Sequence, residues 1–450
     1  MRRFMNWGWI IVYTILLVVT VIFITVKEED SPVDDTTTEK ITLTFRHFWI
    51  LEHDRHVLDI FEDVVQTYQL SHPNVKVNFD GMDQTVHREQ KLKSEMVIGS
   101  PPDMFVLFGG AEIEPYIRAN RLMDLTDFIN DNHLKNQFKD LQLWTSNEKV
   151  YGLPIEGNAE PLYVNSTIFE SLGLQIPRTL SELNEAIVVL KQNGYIPFAL
   201  GNKERWPAGI FAHYLMDRFS NSDLINQLVQ GEENIAFQNE DYLRAFNQLE
   251  LWINDDVFGP SPNELSTEDA VHLFTHGKAA MYLNGNWDIT LFNNDDAPKD
   301  FQNEVTVIPF PSLYAAEGTR SMAGGYTIGI GLSSNLSDAK KEAALELMQA
   351  FYTEEVQTRI VYEGLRIPSM WIRFDPEKTG PIFTQMIQLM EESSISFVPY
   401  DNLLSPEVKR SFLRVIEEMI DGKNTAKEAL DQLDDASNQY WSLRRNTLSK

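Results

Sequence analysis

The chain has 450 residues, 43% of them hydrophobic and 23% charged, which is the composition of a folded protein too long for one ordinary core. Its formal net charge of −28 repels phosphate backbones and so excludes nucleic acid as the expected partner. It contains no cysteine, which excludes disulfides, thiol nucleophiles and cysteine-bound metal centres.

In chain order, Trp7 to Val26 is an almost unbroken apolar run of about twenty residues, enough for a helix to cross a hydrocarbon core. Arg2 and Arg3 precede it and Lys27-Glu-Glu-Asp30 follows, so the positive-inside rule places the N-terminus in the cytoplasm and the remainder outside. The run offers no small-x-small cleavage site, which favours an uncleaved signal anchor over a signal peptide. Residues 31–40 are polar, acidic and aperiodic, as a tether would be.

Ile41-Thr-Leu-Thr-Phe45 alternates as a strand does. Val57, Phe61, Val64, Val65 and Tyr68 then fall on one face of a helix stopped near Pro73. Val75–Phe79 alternates again, residues 84–98 have helical composition, and Met104–Phe108 is a short apolar run suited to a strand buried on both faces. This rhythm predicts an α/β fold with a parallel sheet.

Residues 151–165 predict an extended segment carrying Glu156, Asn158 and Glu160. Asn165 is placed to cap a short helix that Gly173 can end, and Thr179 with Glu182 has capping-box spacing. The chain reads as mostly helical from about 166 to 280, with strands at Val305–Ile308 and Tyr326–Ile330. Ser337, Ser405-Pro406 and Thr425 with Glu428 mark the starts of three later helices.

Several loops pair an aromatic ring with glycine or a polar group: Arg46-His-Phe-Trp49, Arg205-Trp206-Pro207, the segment from Gly277 to Trp287-Asp288, and Met322-Ala-Gly-Gly-Tyr326. Aromatic faces and carboxylates or amides are the groups that hold a sugar. Trp252, inside an apolar helical run, reads as core. His47, His53 and His56 around Asp54 have a spacing that could suggest a metal site, but zinc needs a third protein ligand and second-shell support and this spacing arises easily by chance, so no metal or other cofactor is expected. Nor is there a Gly-x-Ser-x-Gly elbow, a P-loop or a His-Glu-x-x-His motif, so no catalytic residue is nominated.

Five blocks in order resemble the bacterial extracellular solute-binding proteins that serve as sugar receptors of ABC importers. They are His47-Phe-Trp49, Pro101-Pro-Asp-Met-Phe105, Tyr151-Gly-Leu-Pro154, Gly277-Lys-Ala-Ala-Met281 through Asn284-Gly-Asn-Trp287, and Gly324-Gly-Tyr326. The resemblance implies a two-lobed, periplasmic-binding-protein-like α/β fold with a hinge and an interlobe cleft. Lobe 1 would hold residues 41–155 plus about 310–355, and lobe 2 residues 156–309 plus about 356–450, preceded by the anchor (1–30) and the tether (31–40). It further implies a monomer that captures a neutral carbohydrate and delivers it to the transmembrane subunits of an ABC permease. Trp49, Trp206, Trp287 and Tyr326 would stack on sugar, and Asn158, Glu160 and Asp288 would contact it through polar groups. The absence of cysteine departs from the acylated anchor common in such proteins, leaving the N-terminal helix to hold the chain at the membrane. A surface receptor feeding a sensor kinase and an anchored carbohydrate-active enzyme are the alternative expectations.

Overall fold

A computed structural model describes residues 40–448 except 221, 233, 294–296, 315–320 and 393–395. The anchor expected at Trp7–Val26 and most of the tether lie outside the described residues. No described helix is long and apolar enough to cross a membrane.

Among the described residues, seven strands form one sheet. Its order is Ile367–Pro368, Leu153–Ala159, Met322–Leu332, Met104–Phe108, Ile41–His47, Val75–Gly81, with Ser396–Phe397 pairing the start of Met322–Leu332. The expected parallel rhythm holds for its first part, where Ile41 pairs with Val75 and Phe45 with both Phe79 and Met104. The sheet as a whole is mixed: Met322–Leu332 runs antiparallel to Met104–Phe108 and to Leu153–Ala159. A strand that returns from a distant part of the chain needs no crossover helix, so strand rhythm alone could not reveal its direction.

The helices Leu51–Ser71 and Asp338–Phe351 cover this sheet, burying Val57, Phe61, Tyr68, Leu347 and Phe351 with Leu43, Phe45 and Val106 in one core. Residues 86–98 are helical as expected but begin as a π-helical stretch, Val86–Leu92, which turns His87, Arg88 and Leu92 inward. Asp103 ties the assembly together: its carboxylate accepts from the Thr44 amide at 2.8 Å and pairs with Lys340 at 2.8 Å.

The second sheet has the order Val305–Ile308, Leu162–Asn165, Ala279–Leu283, Ile196–Ala199. Ile196–Ala199 lies in the stretch expected to be helical. Its Ile-Pro-Phe-Ala sequence is too short to show a period, and its place beside Ala279–Leu283 is a long-range choice. Helices Leu180–Gln192, Trp206–Ser220, Glu240–Asn254 and Pro406–Ile420 bury Leu183, Phe211, Tyr214, Trp252 and Phe412 in the core of this lobe.

The caps expected from sequence are present. The Asn165 side chain accepts from the Ile168 amide, and Gly173 has φ +69. Thr179 and Glu182 form a reciprocal capping box, and Ser337 and Ser405 cap their helices. Thr425 and Glu428 exchange amide bonds at the start of the terminal helix Ala426–Leu448.

Candidate functional site

A cleft of about 1130 Å³ is lined by residues of both sheets and of the C-terminal helices. One wall comes from the strand Leu153–Ala159 and the residue after it. Glu156, Asn158 and Glu160 are two residues apart, so the pleat sends all three to the same face, and all three line the cleft. The intervening Gly157 faces the other way, where the Tyr326 ring covers it so closely that a Cβ could not fit.

Each of the three polar groups has a specific neighbour. The Thr327 hydroxyl donates to Asn158 Oδ1 at 3.1 Å. Arg366, 2% exposed, sets its Nε 3.6 Å from Glu156 Oε1 and donates through Nη2 to Asp54 Oδ1 at 3.3 Å. His213 Nε2 lies 2.9 Å from Glu160 Oε2. Burial pushes the Glu156 carboxyl up to about 7, with Arg366 opposing the rise and Asp54 adding to it. Burial also raises the Glu160 carboxyl, against the pull of His213.

The facing wall carries two tryptophans. Asn202 holds the loop before the Trp206–Ser220 helix, accepting from the Ala208 amide at 3.0 Å and donating to Asn263 at 2.6 Å. Glu204 and Trp206 thereby reach the cleft. Trp287 follows Asn286, whose Oδ1 accepts from the Ala159 amide at 2.9 Å and so fixes this segment to the strand of polar groups. The two indoles meet edge to face with centroids 5.8 Å apart, and both are only partly buried. Gly285 makes room for this arrangement, since a Cβ there would fall on the Trp287 ring.

Of the seven residues nominated from sequence, five line the cleft: Trp49, Asn158, Glu160, Trp206 and Trp287. Trp49 does so while 2% exposed, with its ring 4.4 Å from Phe61 in the core. Asp288 and Tyr326 are not among the lining residues. Asp288 is fully buried and accepts from the Tyr282 hydroxyl at 2.6 Å. Tyr326 packs on the reverse face of the polar strand, over Gly157, and its carbonyl accepts from Trp144 Nε1 at 2.8 Å. In both cases the neighbour that marked the residue, Trp287 or a glycine pair, has its own packing reason.

Sequence reasoning did not nominate Glu156, Glu204, His213 or Arg366. The period-two spacing with Asn158 and Glu160 was the available signal for Glu156. His213 is a lone polar group in the apolar Phe211–Met216 run, and Arg366 reaches Glu156 from far along the chain. His47 is buried, its ring 4.0 Å from Phe79, whereas His56 is exposed. Among the described residues no group of three metal-ligating side chains comes together.

Two α/β lobes with a cleft between them define a class of protein, and sequence comparison identifies it. The chain belongs to the bacterial extracellular solute-binding protein family, whose model matches residues 56–358. It is 27% identical over 253 residues to an uncharacterized ABC transporter extracellular-binding protein of Pyrococcus horikoshii, covering 54% of this chain and 55% of that one. It is 24% identical over 283 residues to the multiple sugar-binding protein of Streptococcus mutans, covering 62% and 65%. The chain thus spans between half and two thirds of the length of these curated relatives. Among solved structures, a chitin oligosaccharide binding protein superposes with a TM-score of 0.85 at 27% identity, over 89% of this chain and 98% of that chain.

Proposed function

We propose that this protein is the extracytoplasmic receptor of an ABC importer, a monomer that captures an oligosaccharide by lobe closure and presents it to the permease. The observation that carries this reading is the pairing of two surfaces across one cleft. The partly exposed Trp206–Trp287 pair faces a strand presenting Glu156, Asn158 and Glu160. Indole faces take the apolar faces of pyranose rings, while enclosed carboxylates and an amide take hydroxyl donors. Because the lining comes from both lobes, a bound ligand interacts best with the closed arrangement, and that differential affinity drives closure. An N-terminal membrane helix would keep the receptor near its transporter.

Chitin-derived oligosaccharides are the first ligands to test, given the likeness to the chitin oligosaccharide binding protein, with multiple-sugar and xylan-type glycans as comparators. Calorimetry and thermal unfolding of the protein with this panel are expected to show saturable stabilisation by at least one intact glycan. New reducing ends after incubation would instead favour the carbohydrate-active enzyme. Absence of binding across the panel would remove the saccharide reading.

A further inference from the structure

The polar floor of the cleft holds more carboxylate than its cations neutralise. Glu156 and Glu160 are each 4% exposed, and Asp54 and Glu204 join them in the lining. Facing them are one guanidinium, Arg366, and the His213 imidazole. The other cations of the lining are held by other groups: Arg88 by Glu112, Lys409 by Asp401 and Glu112, Arg205 by Glu417, Arg118 and Arg444 by Glu114, Arg414 by Glu418, and Arg410 by the Pro406 carbonyl. Three carboxylate oxygens of the lining, Glu156 Oε2, Glu160 Oε2 and Glu204 Oε2, are enclosed without a hydrogen-bond partner among the described residues, and Glu160 Oε2 lies 2.9 Å from His213 Nε2. An enclosed acceptor without a donor is costly, and a ligand that supplies one gains the difference.

We propose that the ligand is an oligosaccharide of hexosamine units with free, protonated amino groups, whose ammonium groups pair with Glu156 and Glu204 while its rings lie on Trp206 and Trp287. This rests on the receptor reading above and replaces the neutral carbohydrate expected from sequence. Glu204 and Trp206 are two residues apart, so one sugar unit can meet both. A hydroxyl donates to a carboxylate as a neutral group, whereas an ammonium also balances the charge that the carboxyls take on as they ionise against it, which is worth more in a cleft closed to water. Burial raises the Glu204 carboxyl as it does Glu156; Glu268 and Asp83 add to the rise at Glu204, and Lys203 opposes it. Asp401 acts in the same direction on Glu160.

The test compares a glucosamine trimer, its fully N-acetylated counterpart and cellotriose by calorimetry at about pH 6, in two buffers of different ionisation enthalpy. The amine trimer is expected to bind at least about tenfold tighter than the acetylated one, with net proton release as the carboxyls ionise against it. In E156Q and E204Q the ratio between the two ligands is expected to fall toward one. Should E156Q fail to fold by circular dichroism, E204Q and the proton release of the parent protein still decide. Equal or tighter binding of the acetylated or hydroxyl-only trimer overturns this inference and leaves the saccharide receptor standing. No binding of any of the three, or of the wider panel, overturns both.

Discussion

Gly324 passes so close to Asn158 that a Cβ at Gly324 would land on the Asn158 carbonyl oxygen. The two residues belong to neighbouring strands, with Gly324 paired to Ala159 and Gly325 to Asn158, just before the register shifts. The Gly-Gly-Tyr block therefore does its work on the backbone. It lets the strand Met322–Leu332 lie tightly against the strand that aims Asn158 into the cleft.

G324A is expected to force these strands apart, destabilising the protein by about 1–3 kcal/mol as overpacking does. It should also weaken ligand binding by displacing Asn158. Urea unfolding and calorimetry read the two effects separately. Unchanged stability together with unchanged affinity would show that the strands can relax around the added methyl group.

Glu156 links stability to pH. Its carboxyl is held up to about 7 by burial, against an ordinary value of 4.5, so between these values the folded protein keeps a proton that the unfolded chain has released. The stabilising contribution is complete below about pH 4.5 and is lost as pH rises through about 7, amounting to on the order of 3 kcal/mol. E156Q, which cannot ionise, is expected to lack this slope and to gain on the parent protein as pH rises. Urea midpoints of the two proteins across that window check it; parallel curves would mean that Arg366 keeps Glu156 ionised throughout.

Local chemistry made much of this legible in advance. Asn165, Thr179 with Glu182, Ser337 and Ser405 were readable because a cap is written within four residues of chain. The polar row was readable because Glu156, Asn158 and Glu160 obey the pleat. What escaped was decided at long range. His213 meets Glu160 from a helix some fifty residues later, and Arg366 closes on Glu156 and Asp54 from far along the chain. The setting of Asp288 was hidden for another reason: its partner Tyr282, six residues back, lies on a strand whose inward face no short pattern reveals. The Pro-Pro-Asp block was recognised from its sequence, but its duty became visible only when Asp103 met Thr44 and Lys340.

Trp206 and Trp287 are expected to act as a pair. Replacing either by Ala should weaken glycan binding by about 2 kcal/mol, roughly thirtyfold in Kd, with little loss of stability because neither ring is fully buried. W252A is the contrast. That ring is 1% exposed and donates to Asn184 at 2.8 Å, so its removal should cost about 3–5 kcal/mol of folding stability. G285A offers a finer probe, since it moves the Trp287 ring without deleting it. Full affinity in G285A together with W287A would remove Trp287 from the ligand surface.

Arg218 supports the site from outside it. Its guanidinium donates to the carbonyls of Pro311 at 3.2 Å and Phe310 at 2.9 Å on one side, and to the Ser321 carbonyl at 2.7 Å and hydroxyl at 2.6 Å on the other. It thus links Phe310 and Pro311, which follow the strand Val305–Ile308, to Ser321, which precedes the strand Met322–Leu332, and Asp217 balances its charge. A planar fork is what such two-sided binding needs; a lysine ammonium cannot reach both ends. R218M would leave three buried carbonyls without this donor and Asp217 without its cation, and is expected to destabilise the protein by about 3–5 kcal/mol. R218K should fall between. Because Arg218 does not line the cleft, the folded fraction of either variant should keep most of its ligand affinity, and saturating ligand should raise the melting temperature of both. A loss of affinity as large in R218K as in W206A would mean that the link Arg218 makes between Phe310 and Ser321 sets the angle between the lobes.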